Sequence, residues 1–564
     1  MERLKAELEA GRYALPALLV AMAFAAVYLI WVTRGAGFYL DEWNFINDRL
    51  ELSADSLLRP YVDNLIAIPL LVYEAAFKTF GLGGAHLPIR VVWAGCVLAC
   101  SLLLFLYLRR RTLAWVAFIP SCLLLAFGAA WTDQATSVGL VRLSSVAAGL
   151  GSLVALDRRT PRADLFAAVL LMTAVLSHSA ALPFVVGAAV TVALRGKPEG
   201  WRSAWIWATP LVIYLIWAVW GRISHPGSPI DVANLAKAPQ ALVDGNATVL
   251  AGAAGRYLTN DAGRIYKLDH DPGFPLVGLL AAWIAFLAIR RRFPREALVG
   301  LSMLLSYWLL VALVISPVRQ PTSDRYLYVG AVLLAITVAP LIPRRSPPLL
   351  GWAAIAVALV VFSLAPNIRA LSQAAENVEE ATDETRAGLT AIELARDRVP
   401  KGFKADNAVP EFEGGLYLPR SAGPYLAAVD HHGSPALSEK ELIERDDEAR
   451  RVADAVLAGA LNLHLATKRH AFTGRSRCGP HPTEAGGSVQ VAPPVRIGLV
   501  PMTAAGTEVT AARFADNADV SLGRIPSGRE ATLAIPHDRS TWPWRLQVTG
   551  ATRVTLCRHQ APSK

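Results

Sequence analysis

The 564-residue chain is 54% hydrophobic and only 18% charged, with a net charge of +10, and its mean hydropathy is positive at +0.37. A soluble domain carries about 25% charged residues, so this composition excludes an ordinary soluble protein and calls for lipid as a partner of the surplus apolar surface. The excess Arg and Lys sit in short clusters between apolar runs rather than on one face, which argues against nucleic acid as a partner and marks them as topology signals.

A spanning helix needs about 20 mostly apolar residues at 1.5 Å rise each, and on that criterion the chain has about eleven spans. They lie near 13–33, 87–108, 112–131, 139–156, 164–178, 179–194, 203–220, 272–289, 297–316, 326–342 and 349–365. The first run, Tyr13 to Thr33, is longer than a signal-peptide core and has no small-residue cleavage site after it, so it is expected to stay as an anchor behind a cytoplasmic amino terminus, residues 1–12. The fifth and sixth runs are short and meet at Ser177, His178 and Ser179. They read as a broken hairpin whose unwound tip must lie within protein or water.

Basic clusters occupy every second loop: Arg109 to Arg111; Arg158, Arg159 and Arg162; Arg195, Lys197 and Arg202; Arg290 to Arg292 with Arg295; and Arg344 and Arg345. Placing all of them in the cytoplasm satisfies the positive-inside rule. An odd number of spans then puts the carboxy terminus outside. The apolar stretch from Leu65 to Phe77 is too short to span and holds Pro69 and Glu74, and counting it would invert every later loop. It is expected as an amphipathic helix in the outer interface.

The membrane region thus covers 13–365, with two long external loops at 34–86 and 221–271. After Pro366 hydropathy falls, and 366–564 reads as an extracytoplasmic α/β domain: a charged helix over 367–399, mixed helix and strand over 400–488, and short strands over 489–558 that suggest a small β-sandwich. Cys96, Cys100 and Cys122 fall in apolar runs, whereas Cys478 and Cys557 lie in this domain. In an oxidising compartment those two would form a disulfide closing a loop of roughly 80 residues, worth about 4 kcal/mol in the chain-entropy model; the alternative is two unpaired thiols.

The first external loop opens Gly37-Phe38-Tyr39-Leu40-Asp41-Glu42-Trp43-Asn44-Phe45. Adjacent carboxylates so near a helix end are partly dehydrated, which raises a carboxylate pKa and improves it as a base near neutral pH. The plainer reading is a solvated acid pair with Trp43 as an interfacial anchor. Arg142 lies inside a span, where an Arg costs about 3 kcal/mol or more and faces a cavity or a partner; Asp133 is available as that partner. His431-His432 has no further ligand in view, and no Walker loop, dinucleotide fingerprint, HExxH or CxxC is present.

The order of these features resembles the GT-C-fold glycosyltransferases, a group that includes protein mannosyltransferases and lipid A aminoarabinose transferases. The features are Asp41-Glu42 after the first helix, Asn64-Leu65-Ile66-Ala67-Ile68-Pro69-Leu70 in the loop, and Leu87-Pro88-Ile89-Arg90 opening the second helix. Asp133-Gln134, Leu176-Ser177-His178 and Asp324-Arg325-Tyr326 follow at later outer corners. The resemblance covers about residues 10–365 and implies inverting transfer of a hexosyl or pentosyl group from a polyprenyl-phosphate carrier to a glycan, lipid or protein acceptor on the outer face of the cytoplasmic membrane. It implies Asp41, beside Glu42, as the general base. It implies cations for the anionic leaving group, with Arg325 first and Arg142, Arg256 and Lys267 behind it. Asn64, Asp133 and His178 would line the substrate site. Arg325 has a plainer reading as a juxtamembrane partner of Asp324, and His178 as a satisfied histidine in a helix break.

Many members of that group carry a histidine in the first loop shortly before the Pro-Leu run, where this chain reads Tyr61-Val62-Asp63-Asn64-Leu65 and has none; if that histidine contacts donor or metal, the departure implies altered specificity or lost activity, and a divalent metal is an open cofactor. Trp542 and Trp544 are expected either to stack on sugar or to fill the sandwich core. A transporter or flippase of a lipid-linked saccharide, with polar groups near the bilayer midplane, is the principal alternative function. An inactive envelope scaffold is the other.

Overall fold

The structure is a computed structural model that describes residues 11–49, 52–196, 199–225, 232–342, 351–409, 421–468, 477–481, 488–501, 507–527, 529–549 and 554–559. Residues 1–10, Lys197, Arg344 and Arg345 of the topology reading lie outside the described residues. Helices dominate up to residue 460 and strands follow. The chain divides into two compact units: Met1–Ala36 with Glu51–Thr79 and Ala85–Val378, and Gly37–Leu50 with Phe80–Gly84 and Glu379–Lys564.

In the first unit, seven helices among the described residues are long and apolar enough to cross a membrane. They are Ala14–Val32, Ala67–Leu108, Ser137–Leu156, Trp205–Ser224, Arg295–Leu313, Asp324–Leu341 and Ala354–Leu394, and a pair bent by 42°, Ala114–Ala126 with Gly128–Ala135, makes eight. The remaining predicted runs are helical but short: Pro161–Val175 has 15 residues, Leu182–Ala193 has 12 and Gly273–Ile289 has 17. The chain is a multi-pass membrane protein.

Contacts between the connections show how the helices alternate. The Arg111 guanidinium pairs with Asp157 at 2.6 Å and Arg195 with Asp164 at 2.9 Å. Thr112 donates to the Ile342 carbonyl, and Phe293 packs on the Leu287, Ala297 and Leu341 cluster. All five even-numbered connections, which carry the basic clusters, therefore meet. The odd-numbered ones meet separately: the Ile68 amide donates to the Leu176 carbonyl, Arg319 faces Asp63 at 3.8 Å, Thr132 bonds Asp324, and Asn234 donates to the Ile315 carbonyl.

Four stretches differ from the expectations. The predicted loop 221–271 contains a buried helix, Ala238–Ala253, and a hairpin, Tyr257–Thr259 with Ile265–Leu268. That helix escaped a hydropathy reading because Asp244 and Asn246 interrupt it; it lies close because it is built from small residues. A Cβ at Gly245 would overlap the Trp308 ring, and one at Gly330 would sit 3.1 Å from the same ring. The predicted third span breaks at Leu124–Ala130 into 3-10 turns, where the Gln134 amide bonds the Phe127 amide and the Leu124 carbonyl.

The eleventh span and the charged helix form one helix, Gly351–Leu394, that runs through Pro366. Asn367, fully buried, fastens it: its amide donates to the Gly252 and Ser363 carbonyls and accepts from the Tyr257 hydroxyl. The stretch 65–77 is helical from Ala67, with Leu65, Ile66, Leu70, Tyr73 and Phe77 buried against protein, and it joins the second span across a break at Gly81, φ +67°.

In the second unit, helices Ala422–His432, Glu439–Ile443 and Asp447–Ala460 precede two antiparallel sheets. One has the order Ser488–Val491, Trp544–Thr549, Thr507–Ala512, Val520–Ile525; the other Leu465–Lys468, Glu530–Ile535, Val495–Pro501, Val554–His559, Arg477–His481. Trp544 is fully buried beneath the Arg513 guanidinium, which pairs with buried Asp538 at 2.9 Å, so it is a core residue; Trp542 is 44% exposed. The Asp454 carboxylate accepts the successive amides of Arg513, Phe514 and Ala515, tying the end of strand Thr507–Ala512 to helix Asp447–Ala460.

The backbone register sets Cys557 directly opposite Cys478. Antiparallel partners have Cα atoms about 4.5–5.5 Å apart, within the 4.4–6.8 Å span of disulfides. Full-length protein prepared without reductant is expected to titrate three thiols on denaturation, those of Cys96, Cys100 and Cys122, which are free in the structure. Five would rule out the bridge.

A second prediction concerns Glu384, half-buried on the helix that continues past Glu379. Burial first, and then Glu448, Asp446, Glu380 and Asp383, push its carboxyl up to about 7. The folded value lies above the ordinary one, so its stabilising contribution is complete below about pH 4.5 and is lost as pH rises through about 7. Glu384→Gln is therefore expected to raise the thermal midpoint of the full chain at pH 8, by the equivalent of about 1–2 kcal/mol after screening by solvent, and to leave it unchanged near pH 4.5. A midpoint that moves equally at both pH values would show that this charge is not the cause.

Candidate functional site

The odd-numbered connections of the first unit carry a cluster of polar side chains. Asp133, fully buried, accepts from the Arg142 Nε at 2.5 Å, while its Oδ2 has no hydrogen-bond partner among the described residues. The pair is held from both sides. The Trp93 indole donates to the Asp133 carbonyl at 2.8 Å, and Gly139 meets the Asp133 backbone where any Cβ would clash. Asp324 and Arg325 at the start of helix Asp324–Val338 act on Asp133 by charge, and Arg142 acts on His178.

Asn64 sits in a two-residue turn whose central residues, Val62 and Asp63, both have positive φ, 43° and 67°. A β-branched residue in that region is strained, and the turn is braced: the Asn64 amide donates to the Val62 carbonyl at 2.9 Å, and Asp63 faces Arg319. The Asn64 Oδ1 accepts from the Ser179 hydroxyl, so the first loop bonds to the tip of the broken hairpin. His178 is extended there, and its Nδ1 accepts from the Ala180 amide at 3.0 Å, capping the turn Ser179–Ala181. The broken tip is enclosed by protein, as an unwound segment in a membrane must be.

The predicted residues therefore separate into groups. Asn64, Asp133, Arg142 and His178 are linked through the connections just described, and Arg142 makes the partner contact that its plainer reading anticipated. Arg325 is exposed and makes no ion pair among the described residues, because Asp324 bonds Thr132 instead. Arg256 and Lys267 are exposed on the hairpin Tyr257–Thr259 and Ile265–Leu268, which Gln373 and Arg369 bond to helix Gly351–Leu394. No bond among the described residues joins either one to Asp133 or Arg142. Asp63, Arg319 and Thr132 were not singled out from sequence; the adjacency of Asp63 to Asn64 was the one available signal.

Asp41 and Glu42 belong to the second unit and are held differently. Leu40 has φ +49°, a left-handed conformation that costs a non-glycine residue about 1–2 kcal/mol. Asp41 follows as the half-buried N-cap of helix Glu42–Asp48, and Glu42 is fully buried with Oε2 accepting the Tyr39 amide at 2.8 Å. Glu42 thus closes the turn over Leu40. Asp41 is the member of the pair left accessible.

Among the described residues, no group of three or more His, Cys, Asp and Glu side chains is placed to hold a metal ion. No family model matches the chain, and no curated protein matches it. Among solved structures it is similar to the arabinosyltransferase EmbB from Mycobacterium smegmatis, with a TM-score of 0.32 and 12% identity over 96% of this chain. The chain spans 64% of that protein's length.

Removing one partner of a buried pair leaves an uncompensated charge and costs about 3–5 kcal/mol. Arg142→Met is therefore expected to lower the yield and thermal midpoint of folded protein sharply, and the double variant Arg142→Met with Asp133→Asn to recover most of the loss. A double variant no better than the single would mean that Arg142 is held by something other than Asp133.

Proposed function

We propose that the chain is an inverting glycosyltransferase of the cytoplasmic membrane that moves a hexosyl or pentosyl group from a polyprenyl-phosphate carrier to a glycan, lipid or protein acceptor on the outer face. The observation that carries the reading is the polar cluster of the odd-numbered connections. There, among the described residues, a buried Arg142–Asp133 pair retains a carboxylate oxygen without a partner, Arg325 makes no ion pair, and the Asn64 turn is strained and braced. Unsatisfied buried polar atoms and strained backbone concentrate where a ligand completes the structure. In this reading the chain crosses the bilayer eleven times with its amino terminus inside, the short helices being shielded by their neighbours, and the carboxy-terminal unit is extracytoplasmic.

The chemistry assigned to the residues is as follows. Asp41 takes the proton of the acceptor hydroxyl, whose oxygen attacks the anomeric carbon as the bond to the lipid phosphate breaks, so the sugar leaves with inverted configuration. Arg325 and Arg142 neutralise the departing phosphate. Arg256, Lys267, Asn64 and His178 are further donor or acceptor contacts, and a divalent metal remains an open component. One observation favours transport instead: the bent pair Ala114–Ala126 and Gly128–Ala135 is a broken helix carrying the ionisable Asp133, as transporters use.

Deleting the protein should cause one polyprenyl-linked sugar to accumulate, and that sugar identifies the donor. With it, Asp41→Asn is expected to lower turnover by about 100- to 10,000-fold while donor binding changes little. Arg325→Ala should weaken donor binding and slow transfer together, since it removes charge that meets both ground state and leaving group. Wild-type transfer by Asp41→Asn would overturn the catalytic assignment and put the transport reading first.

A further inference from the structure

The carboxy-terminal region was expected to be a separate external domain, yet two pieces of the first loop, 37–50 and 80–84, fold as part of the same compact unit. The first piece is fixed at both ends. The Gly37 amide donates to the hydroxyl of buried Thr382 at 2.9 Å. Trp43, 3% exposed, sets its ring edge-on to Phe38 at 5.9 Å and to Tyr425 at 6.2 Å. Tyr425 is fully buried and is held in turn: its hydroxyl donates to Glu393 Oε1 at 2.5 Å, and the Ser434 hydroxyl donates to the same oxygen at 2.6 Å.

The second piece is cradled by the neighbouring turn. A Cβ on Gly81 would lie 2.8 Å from the His432 carbonyl oxygen, and one on Gly83 would lie 2.9 Å from that of Ser434. Glycine is required at Gly81 twice over, by this approach and by its φ of +67°. The Glu393, Tyr425 and Ser434 group therefore touches both pieces of the loop, one through the Trp43 ring and the other through the Ser434 backbone.

Between the two fixings of the first piece lies the left-handed Leu40, immediately before Asp41. Strain of this kind persists only where the surroundings over-determine it, and here the surroundings are Glu42 from within the segment and Thr382 and Tyr425 from the carboxy-terminal region. We propose that the carboxy-terminal domain is a positioning device for Asp41, with Thr382, Glu393, Tyr425 and Ser434 as its positioning residues and Trp43 as the key they grip. This rests on the reading of Asp41 as the general base. A base displaced by about 1 Å loses on the order of 100-fold in rate, so the domain sets activity through the placement of Asp41.

The test uses the full chain and two readouts. Hydrogen exchange of the peptide spanning 38–46 needs no substrate, and clearance of the accumulated polyprenyl-linked sugar in deletion cells reports transfer. Trp43→Ala is expected to raise exchange in that peptide at least 10-fold, leave exchange in helix Leu140–Leu156 unchanged, and fail to clear the sugar. Trp43→Phe, which keeps an aromatic edge, should restore both. Tyr425→Phe serves as a milder second variant should Trp43→Ala not accumulate, since it loses only the bond to Glu393; its exchange should rise and its clearance should fall, each by less than for Trp43→Ala. Faster exchange with undiminished clearance, or lost clearance with unchanged exchange, would overturn the proposal. If Asp41→Asn itself clears the sugar, the catalytic reading falls, while the exchange data still report whether the domain orders the segment.

Discussion

The structure depends on one constraint: a chain surrounded by hydrocarbon must bring every charge to a helix end or pair it inside the protein. The five basic connections obey it by gathering at one end, where Arg111 meets Asp157 and Arg195 meets Asp164. The other connections carry pairs of their own: Asp63 with Arg319, Asp324 with Thr132, Asn64 with Ser179. Arg142 pairs with Asp133, whose side chain is fully buried. A pair at that depth is weak evidence for stability, because a well-packed apolar substitute would often serve as well.

Close approach is what lets the membrane unit carry polar groups at all. Gly139 allows the Asp133 backbone to lie against the next turn, Gly245 and Gly330 admit the Trp308 ring between two helices, and Gly252 and Gly255 lie against the Asn367 and Pro366 region. In lipid there is no hydrophobic force between helices, so packing and interhelical hydrogen bonds must supply their association. Asn367 shows the two acting together. Its amide bonds the Ser363 carbonyl one turn back and binds the helix Gly351–Leu394 to the end of Ala238–Ala253.

Much of this was legible in the sequence, because hydropathy and basic clusters respond to the same constraint. The eleven apolar runs are helical over most of their described residues, the third being broken by 3-10 turns, and the contacts among their connections fall into two separate groups. What hydropathy missed was structure held by packing rather than by solvent preference. Helix Ala238–Ala253 is small, partly polar and buried by neighbours, so it read as a loop. The break at Leu124–Ala130 is stabilised by Gln134, seven or more residues along, which no local window weighs. The helix that runs through Pro366 is tied by Asn367 to Gly252 and Tyr257, partners more than 100 residues away in the sequence. The site was legible only in part, since Asn64, Asp133, Arg142 and His178 stood out by type and place, whereas Arg319 became interesting only once the turn at Val62–Asp63 brought Asp63 to it.

Adjacent carboxylates of one loop illustrate how environment, not identity, divides labour. Asp41 and Glu42 are neighbours with similar intrinsic acidity, and sequence alone offers no reason for one to act and the other to support. The backbone supplies it. With Leu40 left-handed, the buried Glu42 accepts the Tyr39 amide, while Asp41 sits half-buried at the N-cap position of the next helix without a side-chain capping bond. A buried carboxylate that already accepts a backbone amide is poorly suited to collect a substrate proton. The strain at Leu40 is therefore the price of splitting the pair into a brace and an accessible acid. Because strain relaxes wherever it is not opposed, the split requires a rigid surface against Trp43, and the sequence supplies one nearly 400 residues later in Tyr425.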